Sequence, residues 1–320
     1  MVNTWSLGAA ALGVDALVGD PRRWPHPVTL MGVAIGAYDR RVNRDSLGPG
    51  RLKICGMVLA LGIPLMAGAA TWALVWVAGR VWAPLEWMTA IWMISTTVAW
   101  KGLADAGLDV YHALSRGLPD ARCAVGQIVG RDTAQLPETE VVRAAVETLA
   151  ENIVDGIVAP MLYAVVGGAP LAMAYRAVNT LDSMVGYRNA RYRNFGWASA
   201  RLDDGMNFIP ARLAAALLWV VMAVLGLAPR RAWRIMRRDA RRHPSPNAGI
   251  PEAMMAGGLG VRLGGLNYYG GVPSRRAELG DATRALEAED IVRAVRVVRW
   301  TGVMMGLVLL GLGAWRWLVR

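Results

Sequence analysis

Cysteine is almost missing from this chain. Cys55 opens an apolar run and Cys123 lies in polar sequence, and there are no others among the 320 residues. That excludes a disulfide framework and a cysteine-built metal cage. Histidine is also scarce: His26, His112 and His243 show no metal-ligand spacing. Charge is thin, with Asp, Glu, Lys and Arg together only 18% of residues, while 55% are hydrophobic and the mean hydropathy is +0.32. This is too apolar for an ordinary soluble domain and too polar for a bare bundle of lipid-buried helices. Neither G-x-x-x-x-G-K-[ST] nor G-x-G-x-x-G occurs, so the two common nucleotide loops are excluded. No internal repeat or low-complexity linker is present. The N-terminus has neither a basic flank nor a convincing cleavage site, so no signal peptide is expected.

What remains is a basic, helix-rich membrane pattern. The net charge of +11 is carried mostly by arginine. It fits anionic lipid or acidic small substrates. Nucleic acid is not expected as a partner, because no recognition motif accompanies the charge. The first long apolar run, Ile54–Gly79, holds no charge and follows a basic cluster of Arg40, Arg41, Arg44, Arg51 and Lys53. It predicts a membrane-crossing helix, kinked at Pro64, with the cluster on the cytoplasmic side. Further spans are expected over 84–100, 156–175, 213–229 and 300–315. Gly167-Gly168-Ala169-Pro170 interrupts the third and predicts a broken or re-entrant helix. The expected architecture is therefore an all-α, multi-pass integral membrane protein with four or five transmembrane helices, one of them broken, and polar cytoplasmic loops. It reads as a single membrane-embedded domain over 1–320.

The polar residues gather in four segments: 15–27, 130–133, 147–212 and 244–271. In the first segment Asp15 is followed by GDPRRWPHP (19–27), whose prolines forbid regular helix; Asp15, Asp20 and His26 belong either to a rigid loop or to a site. Thr133 or Thr139 is a candidate cap for the helix that follows GRDT. That helix carries Glu147, Glu151 and Asp155 at spacings of four. Three acids on one face repel one another, so positive charge is expected opposite them. They end where an uncharged segment begins, which suggests either a solvated face or a Mg²⁺ site at the membrane surface. Asn179, Asp182, Asp203, Asp204 and Asn207 add hard oxygen donors, and the surrounding arginines add forks for phosphate or carboxylate. Arg230 to Arg242 contains seven arginines and one aspartate and reads as a lipid anchor or an anion site. The glycine-rich stretch Ser245–Gly271 reads as a flexible loop able to close over a pocket or cradle phosphates. Residues 281–299 predict an amphipathic helix.

Several of these segments together resemble one family. GDPRRWPHPV, GRDT, ETLAENIVDGIVAPMLY, GGAPLAMAYRAVNTLDSMVGYRNARYRNFGWASARLDD, NFIPAR and SPNAGIPEAMMAGGLGVRLGGLNYYGG are similar, in order and over most of the chain, to the CbiB/CobD family of adenosylcobinamide-phosphate synthases. The resemblance implies an inner-membrane ligase of cobalamin biosynthesis. It would join (R)-1-aminopropan-2-ol or its O-phosphate to the free propionate carboxylate of adenosylcobyric acid, with ATP and Mg²⁺. Other late cobalamin-pathway membrane proteins would be partners. That chemistry needs acids for the amine and metal and cations for phosphate and carboxylate. The acids expected to act in catalysis are Glu147, Glu151, Asp155, Asp182, Asp203 and Asp204, with Glu151, Asp155, Asp203 and Asp204 as Mg²⁺ ligands. Arg131, Asp132, Arg176, Asn179, Arg188, Arg201, Asn207, Arg212, Asn247, Gly258, Gly260 and Arg262 are expected to hold substrate or phosphate. Two other classes remain in view. One is a membrane sensor of a related group linked to β-lactamase regulation, which should lack the NTLDS…SARLDD…NFIPAR set. The other is a small-molecule transporter, which would need more full spans.

Overall fold

The computed structural model describes residues 4–19, 26–44, 46–187 and 189–319, with no account of the Trp317 side chain. Asp20 and Arg188 therefore lie outside the described residues. In chain order the first helices are α1 (Thr4–Val18), α2 (Pro27–Val42), α3 (Pro49–Val81), α4 (Ala83–Ser95), α5 (Trp100–Arg116) and α6 (Leu118–Gly126). Then come α7 (Glu138–Ile153), a π-helical turn (Val154–Val158), α8 (Ala159–Val185), α9 (Trp197–Met206), α10 (Phe208–Val224) and α11 (Pro229–Asp239). A 3₁₀ turn (Ala240–Arg242), α12 (Gly249–Leu259), the strands β1 (Leu263–Tyr269) and β2 (Val272–Leu279), and α13 (Glu289–Leu318) complete the chain. The helical architecture is as the sequence predicts; the antiparallel hairpin of β1 and β2 is an addition.

The helices α3, α13 and the continuous stretch Glu138–Val185 are long and apolar enough to cross a membrane. The α9–α10 pair, bent by 44°, makes a fourth if taken as one span. The span expected over 84–100 is instead α4, whose 13 residues fall short of the about 20 that a crossing takes. Residues 281–299 and 300–315 do not form two separate elements. Glu289 starts one helix of 30 residues that includes both the amphipathic turn and the apolar one.

The chain folds as two compact units. One comprises Met1–Ala99, Ala159–Asn207 and Gly306–Arg320; the other comprises Trp100–Val158 and Phe208–Met305. The first unit is built on α3 packed along α8. The expected break is present in α8. Gly168 takes φ +66, a left-handed conformation that glycine adopts without a Cβ clash, and Pro170 follows with no N–H to donate. Close approach to α3 depends on Gly56, where a Cβ would lie 1.8 Å from the Phe195 carbonyl oxygen.

The second unit has two helices buried on every side. On α7, residues 141–147 are all buried, charged side chains included, and all eleven residues of α12 are buried. Thus part of the glycine-rich stretch is a core helix rather than a flexible loop. Gly257 and Gly258 are the reason: added Cβ atoms would meet the Ala232 backbone of α11 at 2.6 Å and the Met222 sulfur of α10 at 2.7 Å. Gly260 ends α12 in the left-handed region at φ +75. Gly270 and Gly271, at φ +58 and +78, form the tight hairpin turn between β1 and β2. Neither Thr133 nor Thr139 caps α7; Pro137 precedes it, without a side-chain cap.

The Gly56 contact gives a direct test. Gly56→Ala should destabilise the detergent-solubilised protein by about 1–3 kcal/mol through overpacking. Gly62→Ala on the same helix, with nothing within 4 Å of the new methyl, should leave the melting temperature unchanged or higher. Equal melting temperatures for the two variants would contradict this packing.

Candidate active site

In the second unit, α7 presents Glu140, Arg143, Glu147 and Glu151 at helical spacings of three and four. The positive charge expected opposite the acids is there. Glu147, 4% exposed, takes Arg131 on one carboxylate oxygen. On the other it takes Arg143 Nη1 at 2.9 Å and the Gly264 backbone N–H at 2.7 Å. Arg143 also donates to Glu140, to the Leu266 carbonyl at 3.0 Å and to Asn267 Oδ1 at 2.9 Å. Arg131 donates to the same Asn267 oxygen. The four hydrogen bonds from Arg131 and Arg143 to Glu147 and Asn267 therefore start from the GRDT segment or α7, and their targets tie α7 to β1.

Asp132 of GRDT works at the turn rather than in the cluster. Its carboxylate accepts from Gly270 N–H at 3.0 Å and Gly271 N–H at 2.7 Å. Its own N–H donates to the Tyr268 carbonyl at 2.8 Å. The motif thus places an arginine into the buried cluster and an aspartate on the hairpin turn one residue later.

Behind these groups lie Glu252 of α12 and His243. Glu252 is 1% exposed, and burial together with the negative charges of Glu151 and Glu147 pushes its carboxyl well above the usual range. Burial, and then the Arg276 guanidinium, lowers His243 to about 4. Its Nε2 lies 3.5 Å from Glu252 Oε1, and neither atom has a hydrogen-bond partner. Arg276 of β2 donates to the Tyr269 hydroxyl at 3.0 Å; burial acts against its charge, and the negative groups around it, Glu151 and Glu147 among them, outweigh that and raise it. Glu151 belongs to this electrostatic cluster, but its carboxyl makes no hydrogen bond among the described residues; only its backbone carbonyl accepts, from the Val154 N–H.

A cleft of about 1100 Å³ opens beside the cluster. Arg143, Glu140, Gly264, Arg262 and Arg275 provide its polar wall, and Leu136, Pro137, Leu266, Tyr268 and Leu286 its apolar wall. The volume is slightly above the about 300–1,000 Å³ that small-molecule sites commonly occupy.

The remaining expected residues fall as follows. Asp155 sits on the π-helical turn. Arg212 donates to Asn247 Oδ1 at 3.1 Å and stacks on Phe208. Gly258 and Gly260 serve packing and the end of α12, as described above. Arg262 pairs with Glu278 at 3.0 Å on the rim of the cleft. In the first unit, Tyr175 donates to Asn207 Oδ1 at 2.8 Å and Asn207 donates to Asp203 Oδ2 at 3.0 Å. Arg176 reaches Asn179 at 3.3 Å, and its buried Nε has no partner. Arg201 and Asp204 line a small cavity of about 180 Å³. Asp182 lies near the end of α8, where its carbonyl accepts from Gly186 N–H at 2.8 Å. Asp15 is buried in α1, and His26 Nδ1 caps α2 by accepting from Val28 N–H. Among the described residues no three His, Cys, Asp or Glu side chains are grouped to hold a metal ion.

Sequence reasoning missed Glu140, Arg143, Glu252, His243, Asn267 and Arg276. Arg143 was legible as the cation one turn before Glu147. Glu252 is the single acid in the otherwise uncharged run from Ser245 to Val261. Asn267 and Arg276 required the hairpin, whose signal is the Gly-Gly turn between Tyr-Tyr and Val.

Fold and site together define a helical membrane protein whose second unit surrounds a buried acid–arginine cluster beside a large cleft. The family model described as CobD/Cbib protein matches residues 8–298. A cobalamin biosynthesis protein CobD of Geobacter metallireducens is 48% identical over 93% of each chain. One from Citrobacter koseri is 45% identical over 92% of this chain and 93% of its own. The cobalamin biosynthesis protein CbiB of Salmonella typhimurium is 43% identical over 93% of each. The chain belongs to the CobD/CbiB family, and a role in cobalamin biosynthesis follows from that membership. No solved structure matches it.

Two outcomes test the cluster. Glu147→Gln leaves Arg131 and Arg143 buried with too little negative charge and should cost about 3–5 kcal/mol, read from chemical denaturation in detergent. The second concerns pH. His243 refuses a proton in the fold until about pH 4, whereas the unfolded chain takes one near 6.5. Stability should therefore fall as pH drops from 6.5 to 4, by up to about 3 kcal/mol. Glu252 acts with the opposite sign: it keeps its proton in the fold, so its contribution declines as pH rises above 4.5. His243→Gln should remove the acid-side loss and Glu252→Gln the alkaline-side one. Unchanged pH profiles in both variants would contradict this account.

Proposed function

We propose that the chain is an ATP-dependent amide ligase of the inner membrane. It joins the free propionate carboxylate of adenosylcobyric acid to (R)-1-aminopropan-2-ol or its O-phosphate, giving adenosylcobinamide or its phosphate. The observation that carries this reading is the family match over nearly the whole chain. The geometry of the second unit supports it. The cleft combines an apolar wall with three arginines, Arg143, Arg262 and Arg275, which suits a large ligand with an apolar ring and a polar, carboxylate-bearing edge.

Amide formation from a carboxylate needs activation. In the proposed route the carboxylate oxygen takes the terminal phosphoryl group of ATP, releasing ADP. The amine nitrogen then attacks the acyl carbon, phosphate leaves, and the amine gives up its proton to a base. Glu151 is the acid proposed for that proton, because its carboxyl stands in the cluster without a hydrogen-bond partner. Glu147 is already saturated by Arg131, Arg143 and Gly264 and serves to position those arginines. Fixed guanidinium groups in a dry site stabilise developing negative charge without reorganising. The described residues offer no ready-made metal cage. Mg²⁺ would accompany the nucleotide phosphates and neutralise part of their charge, with Asp155, one turn beyond Glu151, as the carboxylate that would hold it.

Purified protein should form the amide from adenosylcobyric acid, ATP, Mg²⁺ and one of the two amines, detected by mass spectrometry of the corrinoid. Glu151→Gln should lower kcat by about 10²-fold or more, as expected for loss of a general base. Absence of product with both amines would sink the ligase reading; wild-type turnover by Glu151→Gln would remove Glu151 from it.

A further inference from the structure

The seven arginines from Arg230 to Arg242 are divided by the fold into two sets. Three are committed to protein. Arg231 Nε donates to the Gly257 carbonyl at 2.6 Å, Arg238 pairs with Asp239 at 2.7 Å and Asp281 at 2.8 Å, and Arg242 pairs with Asp239 at 3.2 Å. These contacts fix α11 against α12 and the end of β2. Arg230, Arg234, Arg237 and Arg241 are exposed and have no hydrogen-bond or ion-pair partner among the described residues. The first three lie four and three residues apart on α11, so they share one face. That face is opposite the one buried through Ala232, Ile235 and Asp239. Arg241 follows in the 3₁₀ turn.

The stripe begins at a groove of about 670 Å³ lined by Trp219 and Ala223 of α10, by Ala228 and Pro229, and by Arg230, Arg231 and Arg234. The α10 side of the groove continues an apolar surface: Leu213, Trp219, Val220 and Val224 are all exposed. An exposed apolar helix face leads to a tryptophan and then to unpaired arginines. This is the order in which a bilayer presents acyl chains, the interface and phosphates. Free phosphate or a soluble anion has no use for the exposed α10 face.

We propose that the groove at Trp219, Arg230 and Arg234 binds the headgroup of one anionic phospholipid. The acyl chain lies along the exposed face of α10, and the phosphate is held between the Arg230 and Arg234 guanidiniums. This goes beyond the ligase reading and does not depend on it. Arg237 and Arg241 extend the positive field along α11 without lining the groove.

The test is native mass spectrometry of the detergent-solubilised full chain titrated with phosphatidylglycerol, with phosphatidylcholine as the reference lipid. The expected result is a retained phosphatidylglycerol adduct with at least tenfold preference over phosphatidylcholine. Arg230→Gln/Arg234→Gln should lose that preference, while Arg237→Gln/Arg241→Gln should keep most of it. All four side chains are exposed, so circular dichroism should be unchanged in both variants. Equal loss in the two double variants would overturn the groove site in favour of a diffuse charge effect. No preference in the wild type would overturn it as well. Displacement of the lipid adduct by millimolar inorganic phosphate would show a soluble-anion site and overturn the lipid assignment.

Discussion

The second unit depends on keeping the Glu147 carboxylate fully paired. Both its oxygens are used, and its partners come from the GRDT segment, from α7 and from β1. A buried guanidinium without a carboxylate is costly, and so is the reverse, so each member constrains the place of the others. Arg131, Arg143 and Arg276 face Glu140, Glu147, Glu151 and Glu252, one acid more than the cations. Glu252 resolves the surplus. It is the deepest of the four acids, and as a neutral carboxyl it adds no charge to a site already dense with it. The neutral His243 beside it is consistent, since a second cation there would lie against Arg276.

How much of this could be read beforehand depended on the range of the interaction. The apolar run of α3 and the Gly-Gly-Ala-Pro break are local signals, and both are realised in the fold. The spacing of Glu147 and Glu151 is also local, and the physical argument from like charges pointed to the arginines that are found there. Glu252 and His243 carry no local pattern; only the packing of α12 brings them together. The glycine-rich stretch misled for a specific reason. Glycine serves both loops and close helix contacts, and the sequence does not say which backbone will approach. At Gly257 and Gly258 it is that of α11 and the side chain of Met222. The span expected over 84–100 failed differently. Tryptophans and apolar residues mark a short, part-buried helix such as α4 as readily as a crossing one, and helix length decides between them.

The arginine-rich segment shows the same ambiguity resolved by partners rather than by composition. In sequence, the seven arginines form one run with a single aspartate. In the fold, Asp239 is fully buried and takes Arg238, Arg242 and the Gly280 N–H, so one acid orders one side of the run. The opposite side is left free. A cationic stretch can therefore be structural and ligand-binding at once, with the division drawn by helix geometry.

The hairpin and the cluster stabilise each other. A two-stranded hairpin is marginal on its own in water, and β2 is largely exposed. Its order comes from the two ends of β1. Near the start, the Gly264 N–H and the Leu266 carbonyl engage Glu147 and Arg143; at the turn, Asp132 holds Gly270 and Gly271. The hairpin in turn closes one wall of the cleft and brings Asn267 and Arg276 to the buried charges. Any change that weakens the pairing of Glu147 therefore loosens the wall of the cleft, and a ligand that binds the cleft arginines acts on the order of the hairpin. Charge balance, hairpin order and cleft shape are in this sense one equilibrium, set by three residues of α7 and two of GRDT.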